Sequence, residues 1–341
     1  MTVRVAVVGT GYFSRYHFDA WRRIAGVELV AVCSLDAAGL VDAAARYLIP
    51  RQFADVGDML DATRPDLLDI VTPPPVHLEI LSQAAARGVN VICQKPLGGD
   101  LDTARQMVRL AADAGITFVV HENFRFQPWY REARRLIDTG TFGEIYGVAF
   151  RMRPGDGQGP RAYLDRQPYF QTMPRFLIHE TGIHMIDVFR FLLGEVSGVF
   201  ARLRRLNPHI KGEDAGLVLF DFTSGAAGLF DGNRLAAPHG AADPRLTMGE
   251  MWLEGAAATL RLDGDGRLWL RRHGQGEREH AYEWRNEGFG GDCVFALQQH
   301  VVAHFEQGTP LENTGEAYLR NLEIEDAIYR SAEARQWVAL L

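Results

Sequence analysis

The alternation of short apolar runs with helical segments over residues 3–121 constrains this chain more than any other feature. VRVAVVG, ELVAVC, LLDIVT, VNVIC and TFVVH are apolar almost throughout, and segments of helical period such as LEILSQAAARG and ARQMVRLAADAG stand between them. Strands without a polar face belong to a parallel sheet covered on both sides, and this alternation is that of successive βαβ units. The first part of the chain is therefore expected to be a doubly wound α/β layer structure. At roughly 150 residues per domain, 341 residues leave room for a second.

Beyond about residue 122 the pattern changes. One helix at about 128–139 and the strand GEIYGVAFRMR lead into a Gly/Pro-rich stretch at 154–174 and a helix through His184. Alternating runs follow at about 196–206, 214–223, 225–234, 251–262 and 266–272. They predict an α+β domain with a large, mostly antiparallel open sheet. Two closing helices are expected at about 291–306 and 315–338, the last offering Leu319, Leu322, Ile324, Ile328 and Trp337 for packing back on the first domain.

Charge and cysteine content exclude several classes. The net charge is −7 and arginine patches such as RLRR at 202–205 are short, which argues against nucleic acid as a partner. Cys33, Cys93 and Cys293 are odd in number and set in apolar context, so they read as reduced core thiols of a cytoplasmic protein. No apolar run approaches the ~18 residues of a membrane span, and the N-terminus lacks an export signal's pattern, so neither membrane nor export is expected.

The first strand runs into Gly9-Thr10-Gly11-Tyr12-Phe13-Ser14 and then a helix. Gly9 permits a tight turn, Gly11 lets the backbone approach a pyrophosphate, and the helix N-terminus offers it free N–H groups. The strand–turn–helix context points to dinucleotide binding, with Tyr12 and Phe13 beside the turn; a turn with no ligand is the bland alternative. A carboxylate for the adenosine ribose is expected at the end of the second strand. There Ser34 occupies the usual acidic position, while Asp36 either reaches the ribose or caps the next helix. No arginine lies between Cys33 and Arg46 to receive a 2′-phosphate, so NAD is preferred to NADP. Thr72, Pro73, Pro74 and His77 follow the fourth strand, at the edge where open α/β sheets bind ligands. A plain rigid loop and a helix-start polar residue are the bland alternatives for them.

Of the 36 basic residues only Lys95 and Lys211 are lysine. A guanidinium keeps its proton near neutral pH, whereas an ammonium can exchange one or hydrogen-bond a developing oxyanion. The skew therefore draws attention to Lys95, after the fifth strand; Lys211, in the HIKGED turn, shows that scarcity alone does not make a lysine chemical. In the second domain Glu180 and His184 are i,i+4 on one helix, about 6 Å apart along its axis, so the carboxylate can orient the imidazole as an acid/base pair. A structural core histidine is the alternative. His179 and His184 are five apart and on different faces, so no metal is expected.

GTGYFS, TPPPVH at 72–77, QKP at 94–96, NFRFQP at 123–128 and ETGIH at 180–184 together resemble the Gfo/Idh/MocA oxidoreductases, in that family's order and over essentially the whole chain. The resemblance implies a Rossmann NAD(P)-binding domain over 1–122. It implies a substrate-binding and oligomerisation domain over 123–341, forming a homodimer or homotetramer through its sheet. It implies hydride transfer from a sugar, polyol or sugar derivative to nicotinamide. Lys95 matches the family's catalytic lysine, His184 its acid/base histidine, and Asn123 and Arg125 the segment near nicotinamide and substrate. Glu180 falls where many members have aspartate. Gln94 departs from the family's EKP; losing that negative charge should leave Lys95 holding its proton less tightly than in EKP relatives.

The expected mechanism is direct: His184, oriented by Glu180, takes the hydroxyl proton as hydride leaves, and Lys95 hydrogen-bonds the same oxygen. Further substrate contacts are expected from His121, Asn123, Arg125, Arg151, Arg153 and His179; Arg151 and Arg153 share a strand face, and surface salt bridges are their bland alternative. An aldose dehydrogenase is favoured, and a pentose or branched pentose, an inositol or a sugar acid all fit. The competing readings are a lyase or glycosidase that oxidises its sugar only transiently, and a non-catalytic dinucleotide sensor.

Overall fold

The computed structural model describes residues 2–237 and 241–340. The chain divides into two compact units, Met1–Asn123 with Asp292–Arg320, and Phe124–Gly291 with Asn321–Leu341.

In the first unit the apolar runs become the strands β1 (Val3–Val8), β2 (Val27–Cys33), β3 (Gln52–Phe53), β4 (Leu67–Ile70), β5 (Asn90–Gln94) and β6 (Phe118–His121). They pair in parallel in the order β3-β2-β1-β4-β5-β6. The order reverses between β1 and β4, and at such a switch point the crossovers leave a crevice outside the strands' carboxyl ends. Helices α1 (Ser14–Arg23), α2 (Ala37–Tyr47), α3 (Val56–Thr63), α4 (His77–Ala85) and α5 (Leu101–Asp113) connect the strands. Every residue of β4 is buried, Asp69 included, as a central strand covered on both faces requires.

The second unit begins with α6 (Pro128–Asp138) and β7 (Ile145–Met152). The Gly/Pro-rich stretch holds a short 3-10 turn at Pro168–Gln171, and the helix that the sequence reads after it, through His184, is built in two pieces, a π-helical turn at Leu177–Gly182 and α7 (Ile183–Leu193). Then come β8 (Val196–Arg204), β9 (Ala215–Phe222), β10 (Ala227–Asn233), β11 (Gly249–Gly255), β12 (Ala258–Leu262), β13 (Leu268–Arg272) and β14 (Arg278–His280). The run at 251–262, expected as one strand, is a β11–β12 hairpin with the turn at Ala256-Ala257. With β15 (Val338–Ala339) they form a nine-stranded sheet, antiparallel except where β7 and β10 run parallel.

Two expectations for the chain's end are corrected. Helix α8 (Cys293–Gln307) belongs to the first unit rather than to a continuous 123–341 domain. The guanidinium of Arg23 on α1 grips Asp292 at 2.5 and 2.7 Å and lies over the Phe295 ring, which ties α8 to α1. Helix α9 (Gly315–Ala334) ends before Trp337, which lies exposed beyond the helix rather than packing from it. The three cysteines are free and buried, and among the described residues no helix is long and apolar enough to cross a membrane.

Candidate active site

In the first unit the predicted cofactor residues gather at the carboxyl edge of the parallel sheet. Gly9 adopts φ +110°, and a Cβ there would overlap the Val71 carbonyl oxygen; only glycine permits this turn. Around Gly11 a Cβ would meet nothing within 4 Å, which is the open approach that a pyrophosphate needs. Ser14 closes the turn by donating from Oγ to the Gly11 carbonyl at 2.7 Å. Tyr12 is exposed with the Arg15 guanidinium over its ring, and Phe13 packs on Tyr16. Ser34 shares a 2.8 Å hydrogen bond with Thr10, while Asp36 accepts from Ala38 N at 3.1 Å and so caps α2.

The proline loop is braced from within. Pro74–Val76 form a 3-10 turn, and the buried His77 ring donates from Nε2 to the Thr72 carbonyl at 2.8 Å. Burial lowers the His77 pKa to about 4, so the ring is neutral. Thr72 Oγ1 and Asn123 Nδ2, after β4 and β6, are buried without a hydrogen-bond partner among the described residues. Buried polar atoms left open are rare. Together with the vacant approach at Gly11, they fit a polar ligand such as a dinucleotide at this edge.

Lys95 is half-buried, and its backbone N–H donates to Gln94 Oε1 at 2.8 Å. Gln94 Nε2 lies 3.1 Å from His17 Nε2, whose ring in turn meets Asp69 Oδ2 at 2.8 Å; Trp21 Nε1 donates to the same oxygen at 2.7 Å. His121, expected to touch substrate, is fully buried with its ring 4.1 Å from that of His17. His17, Asp69 and Trp21 are absent from the sequence reading. The available signal was Asp69, a charged residue inside the apolar run LLDIV.

In the second unit His184 stands on the first turn of α7, 5% exposed, with its ring stacked on Phe124 at 3.8 Å and 2°. Glu180 lies in the π-helical turn that precedes α7 rather than on one continuous α-helix with His184, as the i,i+4 spacing assumed. Its carboxylate accepts from the Thr181 hydroxyl and from Arg234 at 3.2 Å. Arg234, which the sequence reading missed, is almost fully buried. It also donates to Asp156 at 2.9 Å, Tyr163 at 2.9 Å and Thr181 at 2.7 Å, and lies over the rings of Tyr163, Phe170 and Phe176. The Gly/Pro-rich segment is thereby wrapped on one buried cation.

The other predicted substrate residues hold partners of their own. Arg125 makes a bidentate pair with the buried Asp187 at 2.5 and 2.7 Å, and Asn321 donates to the same carboxylate. Arg153 pairs with Asp231 at 2.5 Å, and His179 Nδ1 meets Glu325 at 2.7 Å. Arg151 is exposed, in register with Asp231 and Glu250 on the neighbouring strands. The bidentate pair fixes Arg125 against α7 at Asp187, which stands three residues after His184 in sequence, so the place of Arg125 is set by protein contacts.

Comparison with known proteins agrees with the two-sheet fold. Residues 3–122 match the family model described as an oxidoreductase family with an NAD-binding Rossmann fold, and residues 130–254 match the C-terminal domain model of the same family. A D-apiose dehydrogenase from Paraburkholderia graminis is 34% identical over 98% of this chain and 89% of its own length. A second, from Rhizobium rhizogenes, is 29% identical over 96% and 94%. The crystal structure of an oxidoreductase from Agrobacterium radiobacter, in complex with NAD+, L-tartaric acid and magnesium, superimposes with a TM-score of 0.90 at 29% identity, covering 99% of this chain and 98% of that one. Glycine turn, open-edged parallel sheet and second-unit sheet thus come together with matches along both parts of the chain, which belongs to the GFO/IDH/MocA family of NAD-binding oxidoreductases.

Proposed function

We propose that the chain is an NAD-dependent aldose dehydrogenase that oxidises the anomeric hydroxyl of a free pentose, with a branched pentose such as D-apiose first among candidates. The observation that carries this is the full-length similarity to two D-apiose dehydrogenases, and the intact Lys95 and His184 support it. NAD, when bound, supplies the acceptor for the hydride leaving the sugar carbon. In this reading the turn at Gly9 and Gly11, with Thr72 and Asn123, holds the dinucleotide. Lys95 donates a hydrogen bond to the reacting oxygen and stabilises the negative charge that grows there. His184 takes the hydroxyl proton, its ring held flat by Phe124. Glu180 orients the imidazole and Arg234 keeps Glu180 in place. We place the enzyme in a reducing cytoplasm, on its three buried thiols. We assign it a homodimer or homotetramer through the sheet face on which Leu217 and Leu219 are exposed.

Lys95→Met and His184→Ala should each lower turnover by at least about 100-fold while NAD affinity, read by cofactor fluorescence, stays within roughly twofold. Retained turnover in both variants would falsify the scheme. Within a panel of apiose, other aldoses, inositols and sugar acids, the branched pentose should give the highest kcat/KM, with one NADH formed per lactone. Product without net NADH points instead to transient oxidation. Gly11→Ala should leave the melting temperature unchanged yet weaken NAD binding by at least about tenfold; unchanged binding removes the pyrophosphate from that turn.

A further inference from the structure

The contacts behind Lys95 can be run in only one direction. A backbone N–H only donates, so the Gln94 atom at 2.8 Å from Lys95 N is the carbonyl Oε1, and the amide NH2 faces His17. That NH2 donates, so His17 Nε2, at 3.1 Å, accepts and carries no proton. Asp69 Oδ2 already receives the Trp21 N–H and sits 2.8 Å from His17 Nδ1, so Nδ1 carries the proton. An imidazolium would point N–H at NH2. Turning the amide over would then point NH2 at the Lys95 N–H, donor against donor again. His17 and Asp69 are fully buried, and the His121 and Phe13 rings flank His17 at 4.1 and 5.7 Å, so water is not at hand to repair a mismatch.

We infer that His17 is a positioning residue for Lys95, held by Asp69 as the neutral Nδ1–H tautomer so that Gln94 turns its carbonyl to the Lys95 backbone. The hydrogen bonds run Lys95 to Gln94 to His17 to Asp69, every donor facing the one buried carboxylate. The inference rests on the reading of Lys95 as catalytic. It also changes what the glutamine means. A glutamate at position 94 offers acceptors alone, so His17 Nε2 must bring its own proton. Gln94→Glu therefore adds a proton on His17 along with the new negative charge, and the loss of charge beside Lys95 that the bare sequence suggests is largely cancelled.

The test is a long-range proton–nitrogen correlation spectrum of the full-length protein labelled at histidine nitrogens, with His17 identified by the signal lost in His17→Gln. Near neutral pH the wild type should show the neutral Nδ1–H form, and Gln94→Glu the imidazolium. An Nε2–H tautomer or an imidazolium in the wild type overturns the inference, as does a neutral His17 in Gln94→Glu. In kinetics, His17→Leu should lower kcat on the order of tenfold with the KM for NAD unchanged. His17→Gln, whose carbonyl can still accept from Gln94, should restore kcat to within about threefold of wild type. Equal loss in both variants reduces His17 to a packing residue. If Lys95→Met keeps its turnover, the catalytic reading of Lys95 falls while the tautomer result still stands or fails by its own spectrum.

Discussion

The two units secure their chemistry-bearing segments in opposite ways. Behind Lys95, a file of donors leads to a single carboxylate, Asp69, and each donor in it meets an acceptor. Behind Glu180, a buried guanidinium stands between Glu180 and Asp156 inside a ring of aromatic side chains. The first network depends on donor and acceptor order, so an isosteric Gln-to-Glu change disturbs it while volume stays the same. The second depends on one buried cation balancing two carboxylates, so loss of that cation is not tolerated.

The largest effect should come from removing that cation. Arg234→Met removes the buried guanidinium shared by two part-buried carboxylates, although Asp156 keeps Arg166 and Glu180 keeps the Thr181 hydroxyl, and should cost about 3 kcal/mol of unfolding free energy, read from urea midpoints at constant slope. Arg234→Lys should recover only part, because an ammonium cannot reproduce the fork that meets Asp156, Tyr163 and Thr181 together. A loss under about 1 kcal/mol in Arg234→Met would put this network on a par with surface ion pairs and erase the contrast.

The second effect probes a buried ring of the first unit that the fold holds neutral, His77. His77 titrates near 6.5 in an unfolded chain and at about 4 when buried in the fold. As pH falls below 6.5 the unfolded state gains a proton that the folded state refuses, so stability declines until about pH 4 and the loss is then complete. The shift corresponds to roughly 3 kcal/mol. Unfolding free energies measured across that interval should fall for the wild type more steeply than for His77→Gln. Identical slopes would mean that His77 is not held neutral.

The difference between the units also explains what the sequence disclosed. The parallel sheet was legible because its strands are apolar on both faces, and the Gly9 and Gly11 turn because its residue types answer to backbone needs. The mostly antiparallel second sheet was legible from alternation, except at Ala256-Ala257, where two alanines carry no turn signal and one strand was read where a hairpin forms. The π-helical turn at Leu177–Gly182 was hidden because apolar periodicity does not separate i→i+4 from i→i+5 bonding over six residues. Both networks join residues far apart in the chain: Arg234 and Glu180 are 54 positions apart, His17 and Gln94 77. Local spacing rules have no access to such pairs, and only the misplaced charge of Asp69 in β4 hinted at one. The allegiance of α8 to the first unit rests on Arg23 and Asp292, 269 positions apart, and no periodicity within 291–306 states it.

The smallest effect concerns a residue whose two readings were left open by sequence. Asp36 caps α2 through Ala38 N, and this role needs only one carboxylate oxygen, Oδ1. Oδ2 leans over Gly39, whose missing side chain leaves room for it, so a ribose hydroxyl has an acceptor at the end of β2 even while the cap is made. Ser34 cannot fill that role as a carboxylate would, because its hydroxyl is engaged with Thr10 and with the Asp36 backbone. Asp36→Ala should therefore lower stability by about 1 kcal/mol and also weaken NAD. Asp36→Ser restores the cap while shortening the reach to the ribose, so it should recover stability but not affinity. If both variants bind NAD as the wild type does, Asp36 is a helix cap alone, and the adenosine end of the cofactor is held without a carboxylate at this strand end.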